Sequence, residues 1–253
     1  MGVIIEKHDR TAWLTLERPP LNVLDTRLLK ELDDILNGFF TDSKTDILFL
    51  QGAGERAFSA GVDIQDHTRE NVPNMLDLVH GVIRKLFALP QVTVAAVRGL
   101  CLGGGCELAT SCDLVVATEE SMFGTPEIHV GCFPPVALAR FSSLSGYHRA
   151  AEIILTGRRF SAEEAFRMGL VNRIYPKDRL QQGIDELSEE LLGKSGAVLR
   201  ITVKGLRELS QKDFPEALKR SEEIYCHELL RTEDVEEGVQ AFLQKRKPRW
   251  SHR

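Results

Sequence analysis

The residues best suited to chemistry are Glu107 and the three glycines shortly before it, Gly103 to Gly105. An apolar run, Val92 to Val97, precedes them and helical spacing follows, so the glycines are predicted to open a helix after a strand. The first N–H groups of a helix lack internal partners, and glycine has no Cβ to block a ligand. They could hold a developing oxyanion while Glu107 orients a water or moves a proton. Tight strand–helix packing, with a glutamate favoured by the helix dipole, explains the same pattern.

Two other segments could contribute to a site. Phe123 to Gly131 is predicted to be a loop with chain breakers and one carboxylate, Glu127, whose structural alternative is to cap the following turn. The segment Gly52 to Ala57 matches the dinucleotide-binding pattern G-x-G-x-x-A after a predicted strand. Gly61 then falls where the helix of that motif would run. We therefore set a nicotinamide site aside.

Apolar periodicity predicts the elements that position these residues. Strands are predicted over Val3–Lys7, Ala12–Glu17, Asp46–Gln51, Val92–Val97, Leu114–Ala117 and Val171–Tyr175. Helical spacing predicts helices from Leu28 to Phe39 behind the caps Asp25 and Thr26, and from Leu76 to Phe87 before Pro90. This alternation predicts an α/β layered core.

The second half of the chain is predicted to be mostly helical. Helices are expected after Pro134-Pro135, over Arg149–Leu155 and after Ser161, where Glu164 completes a capping box. From Arg179 to Lys247 the pattern is helical and rich in charge, and we interpret it as a C-terminal appendage. The basic tail from Gln244 to Arg249 is usual for a solvated end, although it could meet a phosphate.

Composition narrows the class of protein. The chain has 253 residues, 43% of them hydrophobic, and a net charge of −5, so a basic nucleic-acid-binding surface is not indicated. Its five cysteines form no C-x-x-C pair. No apolar run approaches the roughly 18 residues of a membrane span, and no leader pattern opens the chain. These features predict a soluble cytoplasmic protein with neither nucleic-acid nor membrane partners.

Three motifs in order and spacing carry a family resemblance: Phe58–Ile64, Leu102–Leu108 and Phe123–Ile128. Together they resemble the enoyl-CoA hydratase/isomerase (crotonase) family. The resemblance extends over nearly the whole chain through Arg18-Pro19, Leu155-Thr156-Gly157, Gly169-Leu170-Val171 and Phe242–Pro248. It implies an α/β fold with a crotonase-type (ClpP-like) ββα spiral core over residues 1–190, which carries the acyl-CoA site. It also implies a helical oligomerisation region over residues 191–253, and homotrimers or homohexamers.

The resemblance implies roles for four residues at the reacting centre. Two backbone N–H groups, matching Val62 and Gly104, would hold the thioester oxygen as it becomes an enolate. Two glutamates, matching Glu107 and Glu127, would hold the catalytic water. Since both cannot ionise freely in a closed site, one is expected to keep a proton. Retention of both acids favours hydration over isomerisation, cleavage or decarboxylation.

Residues for coenzyme A follow from the same resemblance. Ala60, Asp63 and Ile64 match the adenine-binding strand, Pro20 lies where the bent CoA passes, and Lys245 matches a tail that reaches a CoA phosphate. Gln65 departs from the family, in which a lysine is common there. No separate cofactor is expected, because coenzyme A is part of the substrate. No metal motif is present, and we interpret His80, His129 and the cysteines as structural.

The segment after Glu127 departs from the family in a more informative way. Typical hydratases continue Gly-x-x-Pro-Gly, and that second glycine donates its N–H to the catalytic water. Pro135 stands at that position here and has no N–H. The run from Gly131 to Ala137 is similar to that of cyclic dienoyl-CoA hydratases, which act on cyclohexa-1,5-diene-1-carbonyl-CoA. The alternatives are a short-chain enoyl-CoA hydratase, an enoyl-CoA isomerase, or a non-catalytic acyl-CoA- or RNA-binding relative.

Overall fold

The strands of the chain form two β-sheets, a larger one and a smaller one. The computed structural model describes residues 2–66, 70–210, 220, 225 and 227–253. In this part the strands are β1 (Gly2–His8), β2 (Thr11–Glu17), β3 (Ile47–Gly52), β4 (Ala57–Ser59), β5 (Val92–Val97), β6 (Leu100–Leu102), β7 (Leu114–Thr118), β8 (Met122–Gly124), β9 (Arg159–Ser161) and β10 (Arg173–Tyr175). The larger sheet has the order β1-β2-β3-β5-β7-β10, and the smaller sheet has the order β4-β6-β8-β9.

Helices cover both sheets and continue to the end of the chain. The α-helices of the described residues are α1 (Thr26–Phe39), α2 (Val72–Ala88), α3 (Gly104–Thr110), α4 (Pro135–Ser145), α5 (Tyr147–Thr156), α6 (Ala162–Arg167), α7 (Leu180–Leu192), α8 (Gly196–Leu209) and α9 (Glu233–Leu243). Short 3₁₀ turns span Ile64–Asp66, Pro126–Val130, Lys177–Arg179 and Leu229–Arg231. None of the helices in the described ranges has the length and apolar character needed to cross a membrane.

A repeated unit accounts for both sheets. One strand of the larger sheet is followed at once by one of the smaller sheet, as β3 by β4, β5 by β6 and β7 by β8. A helix then returns the chain in the first two units, α2 after β4 and α3 after β6. The strands of successive units pair in parallel within each sheet. The expected α/β fold with a ββα spiral core is thus confirmed.

The larger sheet is buried on both faces, which explains its continuous apolar runs. Side chains alternate between faces along β3, so Leu48 and Leu50 enter one apolar cluster while Ile47 and Phe49 enter another. Helices α1 and α2 cover the first cluster, and α7 and α8 cover the second. The domain boundary predicted at residues 190/191 stays a prediction. It falls within α7, and Val203 of α8 packs in the same cluster as Phe49.

The structure differs from the sequence-based expectation in two local features. The strands of the smaller sheet were not predicted, and the expected loop from Phe123 begins with the end of β8. Each strand of the smaller sheet is three residues long, which is too short for a period-2 pattern to stand out. Ser161 accepts from the N–H of Glu164 at 3.1 Å, as a capping box requires. The Glu164 carboxylate, however, pairs with Arg158 instead of reaching back to Ser161.

The C-terminal segment is fastened by one carboxylate. Asp234 is 1% exposed and lies in the first turn of α9. Its oxygens accept from Ser195 Oγ at 2.5 Å, Ser251 N at 2.6 Å and His252 N at 2.8 Å. Burial alone would raise the pKa of Asp234, but these hydrogen bonds hold it below its usual value. Ser195 also caps α8, so Asp234 joins the starts of two helices to residues 251 and 252.

We expect Asp234→Ala to destabilise the protein by about 3 kcal/mol, because several buried donors lose a charged acceptor together. Chemical denaturation at neutral pH measures this loss, with Asp178→Ala, at an exposed position, as the control. Since the folded-state pKa of Asp234 is lowered, its contribution is present above the ordinary aspartate pKa and declines as the pH falls below it. Equal stability of the two variants at pH 7 would contradict this prediction.

Candidate active site

The three segments singled out by the sequence meet at one edge of the smaller sheet. Strands β4, β6 and β8 are parallel neighbours, with Ala57 opposite Leu100 and Leu102 opposite Gly124. Parallel neighbours end at the same side of a sheet. The residues that follow each strand, Val62 after β4, Gly104 after β6 and Glu127 after β8, therefore line one cavity.

Two residues that line this cavity, Val62 and Gly104, have backbone N–H groups without an acceptor in the part of the chain that the structure describes. Leu24 forms a parallel bridge around Val62, since its N–H donates to Gly61 O at 2.8 Å and its oxygen accepts from Asp63 N at 3.2 Å. Backbone groups alternate in direction along extended chain, so the N–H of Val62 points away from Leu24. Gly104 begins α3, where an N–H has no partner within the helix. Neither N–H has an acceptor within the described residues.

These two N–H groups are close to each other. A Cβ built on Gly104 would lie 3.7 Å from the nitrogen of Val62 and 2.8 Å from its Cγ2 atom. The side chain of Val62 thus packs directly against the start of α3, and only glycine at position 104 leaves room for it. Two neighbouring unpaired N–H groups are the kind of arrangement that can stabilise a carbonyl oxygen as it gains negative charge.

Glu107 is held by the first turn of another helix. Glu107 is 3% exposed, and its Oε1 accepts from Val136 N at 2.8 Å and Ala137 N at 3.0 Å. These are the second and third residues of α4, which lacks a side-chain cap of its own. Burial raises the pKa of Glu107 above its usual value, and the two backbone donors oppose that rise. Glu107 therefore caps α4 from a distant part of the chain.

Glu127 has a different environment. It lies in the 3₁₀ turn Pro126–Val130, and its Oε2 atom is buried with no hydrogen-bond partner among the described residues. Burial raises the pKa of Glu127 to about 7. A hydrogen bond from its own backbone N–H lowers this pKa, and the negative charge of Glu107 raises it. The two carboxyl groups thus differ in their tendency to hold a proton.

Gly103 brings the Glu127 carboxyl close to the start of α3. Its φ is +53°, and a Cβ there would lie 2.9 Å from Glu127 Oε1. Residues other than glycine rarely adopt such a backbone conformation. Here a side chain would also displace the Glu127 carboxyl group. The absent Cβ of Gly103 is therefore what lets an acid stand beside the donor N–H of Gly104.

The cavity has a volume of about 540 Å³ and a mostly apolar wall. Helix α2 supplies one side of it through residues at helical spacing, Val72, Met75, Leu76, Val79 and His80. Burial, followed by the nearby charge of Arg84, lowers the pKa of His80. The segment after Glu127 supplies the other side through His129, Val130, Gly131, Cys132, Phe133 and Pro135. Val62, Gly104, Glu107 and Glu127 thus lie in a cavity whose two walls come from different parts of the chain.

The residues expected to bind coenzyme A are not all brought together. Ala60 and Ile64 line the cavity, and Ile64 is 59% exposed. Asp63 is outside the lining and accepts from Arg18 Nη2 at 3.3 Å. Pro20 and Lys245 are exposed and also outside the lining. Within the basic tail, Arg246 forms an ion pair with Glu237, with 2.6 Å between Arg246 Nη1 and Glu237 Oε1.

Sequence reasoning missed the hydrogen bonds between Glu107 and α4. A signal for them exists, because Pro134 precedes this helix and Pro135 begins it. Proline suits the first helical position, but Pro134 has no side chain that can cap the following N–H groups. An acceptor from elsewhere is then required. For metals, no group of three or more candidate ligands occurs within the described residues.

Comparison with known proteins gives matches over the whole chain. A family model described as enoyl-CoA hydratase/isomerase matches residues 6–253. A short-chain-enoyl-CoA hydratase of Clostridium acetobutylicum is 34% identical over 251 residues, covering 97% of this chain and 96% of that protein. A cyclohexa-1,5-dienecarbonyl-CoA hydratase of Thauera aromatica is 29% identical over 253 residues, covering 100% of this chain and 97% of that protein. The crystal structure of an enoyl-CoA hydratase from Bacillus anthracis has a TM-score of 0.94 at 31% identity, covering 99% of both chains.

The unusual environment of Glu127 predicts a pH-dependent stability. Its folded-state pKa of about 7 lies above the ordinary value of 4.5, so the folded protein keeps a proton that the unfolded chain releases. Wild-type stability should therefore fall as the pH rises between these values. Glu127→Gln lacks this loss, so between about pH 5 and pH 8 its stability should improve relative to wild type by about 2–3 kcal/mol.

Denaturant unfolding at several pH values measures this difference, and Glu119→Gln, at an exposed position, serves as the matched control. Parallel pH profiles of wild type and Glu127→Gln would contradict the prediction.

Proposed function

Because this chain belongs to the enoyl-CoA hydratase/isomerase family, we propose that it is a lyase that adds water reversibly to a conjugated acyl-CoA thioester. The observation that carries the proposal is the pair of unlike carboxyl groups beside two unpaired N–H groups in one cavity. A binding protein needs no such pair. An enzyme that adds water needs one group to accept a proton and another to donate one.

The two backbone N–H groups would hold the thioester oxygen. Attack at the β-carbon moves electrons onto this oxygen, and Val62 N and Gly104 N donate to the resulting enolate. Both donors are fixed before the reaction, because Leu24 bridges the chain around Val62 and α3 begins at Gly104. Losing one such donor costs roughly 2.7–4 kcal/mol in other enzymes.

The carboxyl groups would divide the proton transfers. Two backbone N–H groups and the N-terminus of α4 favour the ionised form of Glu107, which accepts a proton from the water as its oxygen attacks. Glu127, with its pKa of about 7, is partly protonated at neutral pH and donates a proton to carbon. Transfer of the new proton from Glu107 to Glu127, through a further water, restores the starting state.

Coenzyme A would extend from this centre along the segment after β4. Ala60 and Ile64 line the cavity and suit the adenine, with Asp63 beside them. Pro20 and Lys245 would contact the bent CoA and a phosphate outside the cavity. Gln65 carries no charge, so we assign no phosphate to it.

We also propose a homotrimer or homohexamer in the cytoplasm. Tyr147 and Leu155, both on α5, are 72% and 71% exposed, which is unusual for large apolar groups and suits an interface. The C-terminal region over residues 191–253 would take part in assembly. The described cysteines are free thiols, which suits a reducing compartment.

For the acyl group we propose cyclohexa-1,5-diene-1-carbonyl-CoA, a substrate of anaerobic aromatic degradation. Pro135 lines the cavity and has no N–H, while the next two N–H groups of α4 donate to Glu107. The first turn of α4 thus has no N–H at these positions for a catalytic water. Phe133 adds apolar surface to the same wall.

The chemistry of the cyclic diene suits a displaced proton donor. Water attacks the β-carbon of one double bond, and the negative charge spreads over the thioester oxygen, the α-carbon and the far end of the second double bond. Protonation at that far carbon completes a 1,4-addition and gives 6-hydroxycyclohex-1-ene-1-carbonyl-CoA. This 1,4-addition needs the acid at a different distance from the oxyanion than α-protonation does, and the segment after Glu127 would set that distance.

Short-chain enoyl-CoA hydration is the second candidate. The relative from Clostridium acetobutylicum, at 34% identity, is named for that activity, while the diene hydratase of Thauera aromatica is 29% identical. In this case Pro135 is a neutral variation. Isomerisation without water, and acyl-CoA or RNA binding without catalysis, are the remaining alternatives.

We expect Glu107→Gln and Glu127→Gln each to fold and to lower turnover at least about a hundredfold, the scale of general acid–base assistance. Turnover of purified protein on a conjugated acyl-CoA measures this, and product formed in heavy-oxygen water should carry the label. Unlabelled product would instead indicate an isomerase. Near-wild-type rates in both variants would remove the two residues from the mechanism.

We expect a higher kcat/KM for the cyclic diene than for crotonyl-CoA, because α4 offers no water anchor at Pro135. In Pro135→Gly the returned N–H should raise the rate with crotonyl-CoA relative to that with the diene. Val136→Ala, which keeps every N–H of wild type, is the control. Faster hydration of crotonyl-CoA by wild type would refute the cyclic substrate, although hydration of an acyl-CoA would stand.

A further inference from the structure

The turn that carries Glu127 is poorly covered by the rest of the protein. In the turn Pro126–Val130, Ile128 is 38% and Val130 57% exposed. Two backbone hydrogen bonds close the turn on itself, from Gly131 N to Ile128 O at 3.2 Å and from Cys132 N to Glu127 O at 3.0 Å. These bonds fix the shape of the turn, but they do not fix its position relative to the cavity.

His129 supplies an attachment outside the turn. Its Nε2 atom lies 3.2 Å from Gly157 O, across 28 residues of sequence. A carbonyl oxygen only accepts, so Nε2 must carry the proton in this hydrogen bond. This donor is present in both the neutral Nε2–H tautomer and the imidazolium form. Within the described residues, no other side chain of the turn forms a hydrogen bond to the protein beyond it.

Gly157 is shaped to receive the turn. It ends α5 with φ +61°, and its own N–H donates to Ile153 O at 2.9 Å. A Cβ at Gly157 would lie 2.7 Å from Ile128 Cγ2 and 2.8 Å from His129 Nε2. The turn therefore packs against the bare backbone of this glycine, and a side chain there would push it away.

The end of α5 is a firm point of attachment. Ile153 is 0% and Ile154 6% exposed, so the last turn of α5 is anchored in the core. Arg158, the residue after Gly157, pairs with Glu152 at 2.8 Å and also with Glu164. The carbonyl that receives His129 is thus held from both sides.

We propose that His129 is a positioning residue that sets the place of the Glu127 carboxyl by tying its turn to the end of α5. The inference rests on the proposed function, because it matters for turnover only if Glu127 transfers a proton. His129 lines the cavity as well, so a direct part in proton transfer is the rival role. A substitution that keeps the hydrogen bond but removes the imidazole ring separates the two roles.

The test compares three variants by kcat and KM on the preferred acyl-CoA. His129→Leu removes the donor and should lower kcat about five- to tenfold while KM changes less than about twofold, as expected when a reacting group is misplaced. His129→Gln can still donate an N–H to Gly157 O and should keep kcat within about threefold of wild type. His8→Leu, at an exposed position on β1 away from the site, is the matched control and should behave as wild type.

A Glu127→Gln background shows whether His129 acts through the acid. There, His129→Leu should lower turnover no further, because the group that it positions no longer donates a proton. A full additional loss, or failure of His129→Gln to restore the rate, would overturn the positioning role. So would a His129→Leu variant with wild-type kcat.

Amide hydrogen exchange of the peptide over residues 126–132 tests the attachment without using activity. Exchange should be faster in His129→Leu than in wild type, and unchanged in His129→Gln and His8→Leu. Unchanged exchange in His129→Leu would overturn the inference whatever the kinetics. If wild type hydrates no acyl-CoA but exchange responds as expected, the proposed function fails while the attachment of the turn stands.

Discussion

Three short parallel strands end side by side, and the whole site depends on that pairing. Strands β4, β6 and β8 each have only three residues, and each is followed at once by a segment that lines the cavity. Their hydrogen bonds to one another set the relative positions of Val62, Gly104 and Glu127. The larger sheet, buried on both faces, supports them because each of its strands β3, β5 and β7 leads directly into one of the three.

Glu107 shows how structure and chemistry share one side chain. Its carboxylate satisfies two N–H groups of α4, a helix that begins with Pro135 and has no cap of its own. The same contacts stabilise its negative charge in a buried place, where an isolated carboxylate would tend to be protonated. Within the described residues, Glu127 has no such donors from another helix and its Oε2 atom has no partner, and burial raises its pKa to about 7. The difference between the two acids is therefore a result of helix capping rather than of residue type.

Sequence alone could predict the elements that have a strong local pattern. Apolar periodicity predicts the long strands, and the cap Asp25 predicts the start of α1. The three consecutive glycines predict the start of α3. The strands of the smaller sheet do not, because three buried residues carry no period. The contact of Glu107 with α4 depends on residues 29 and 30 positions away, which no local signal encodes. From sequence, His129 is interpreted as structural. Its contact with Gly157, which fixes the turn that carries Glu127, can be found only in the structure.

The ββα repeat also has a consequence for how such a protein can evolve. The repeats contribute different groups to the cavity: an unpaired N–H after β4, an unpaired N–H and the Glu107 carboxyl after β6, and the Glu127 carboxyl after β8. A mutation or insertion in the segment after β8 can thus move the Glu127 carboxyl while the two N–H groups stay in place. The cavity can therefore change one loop at a time, with the paired N–H groups inherited unchanged.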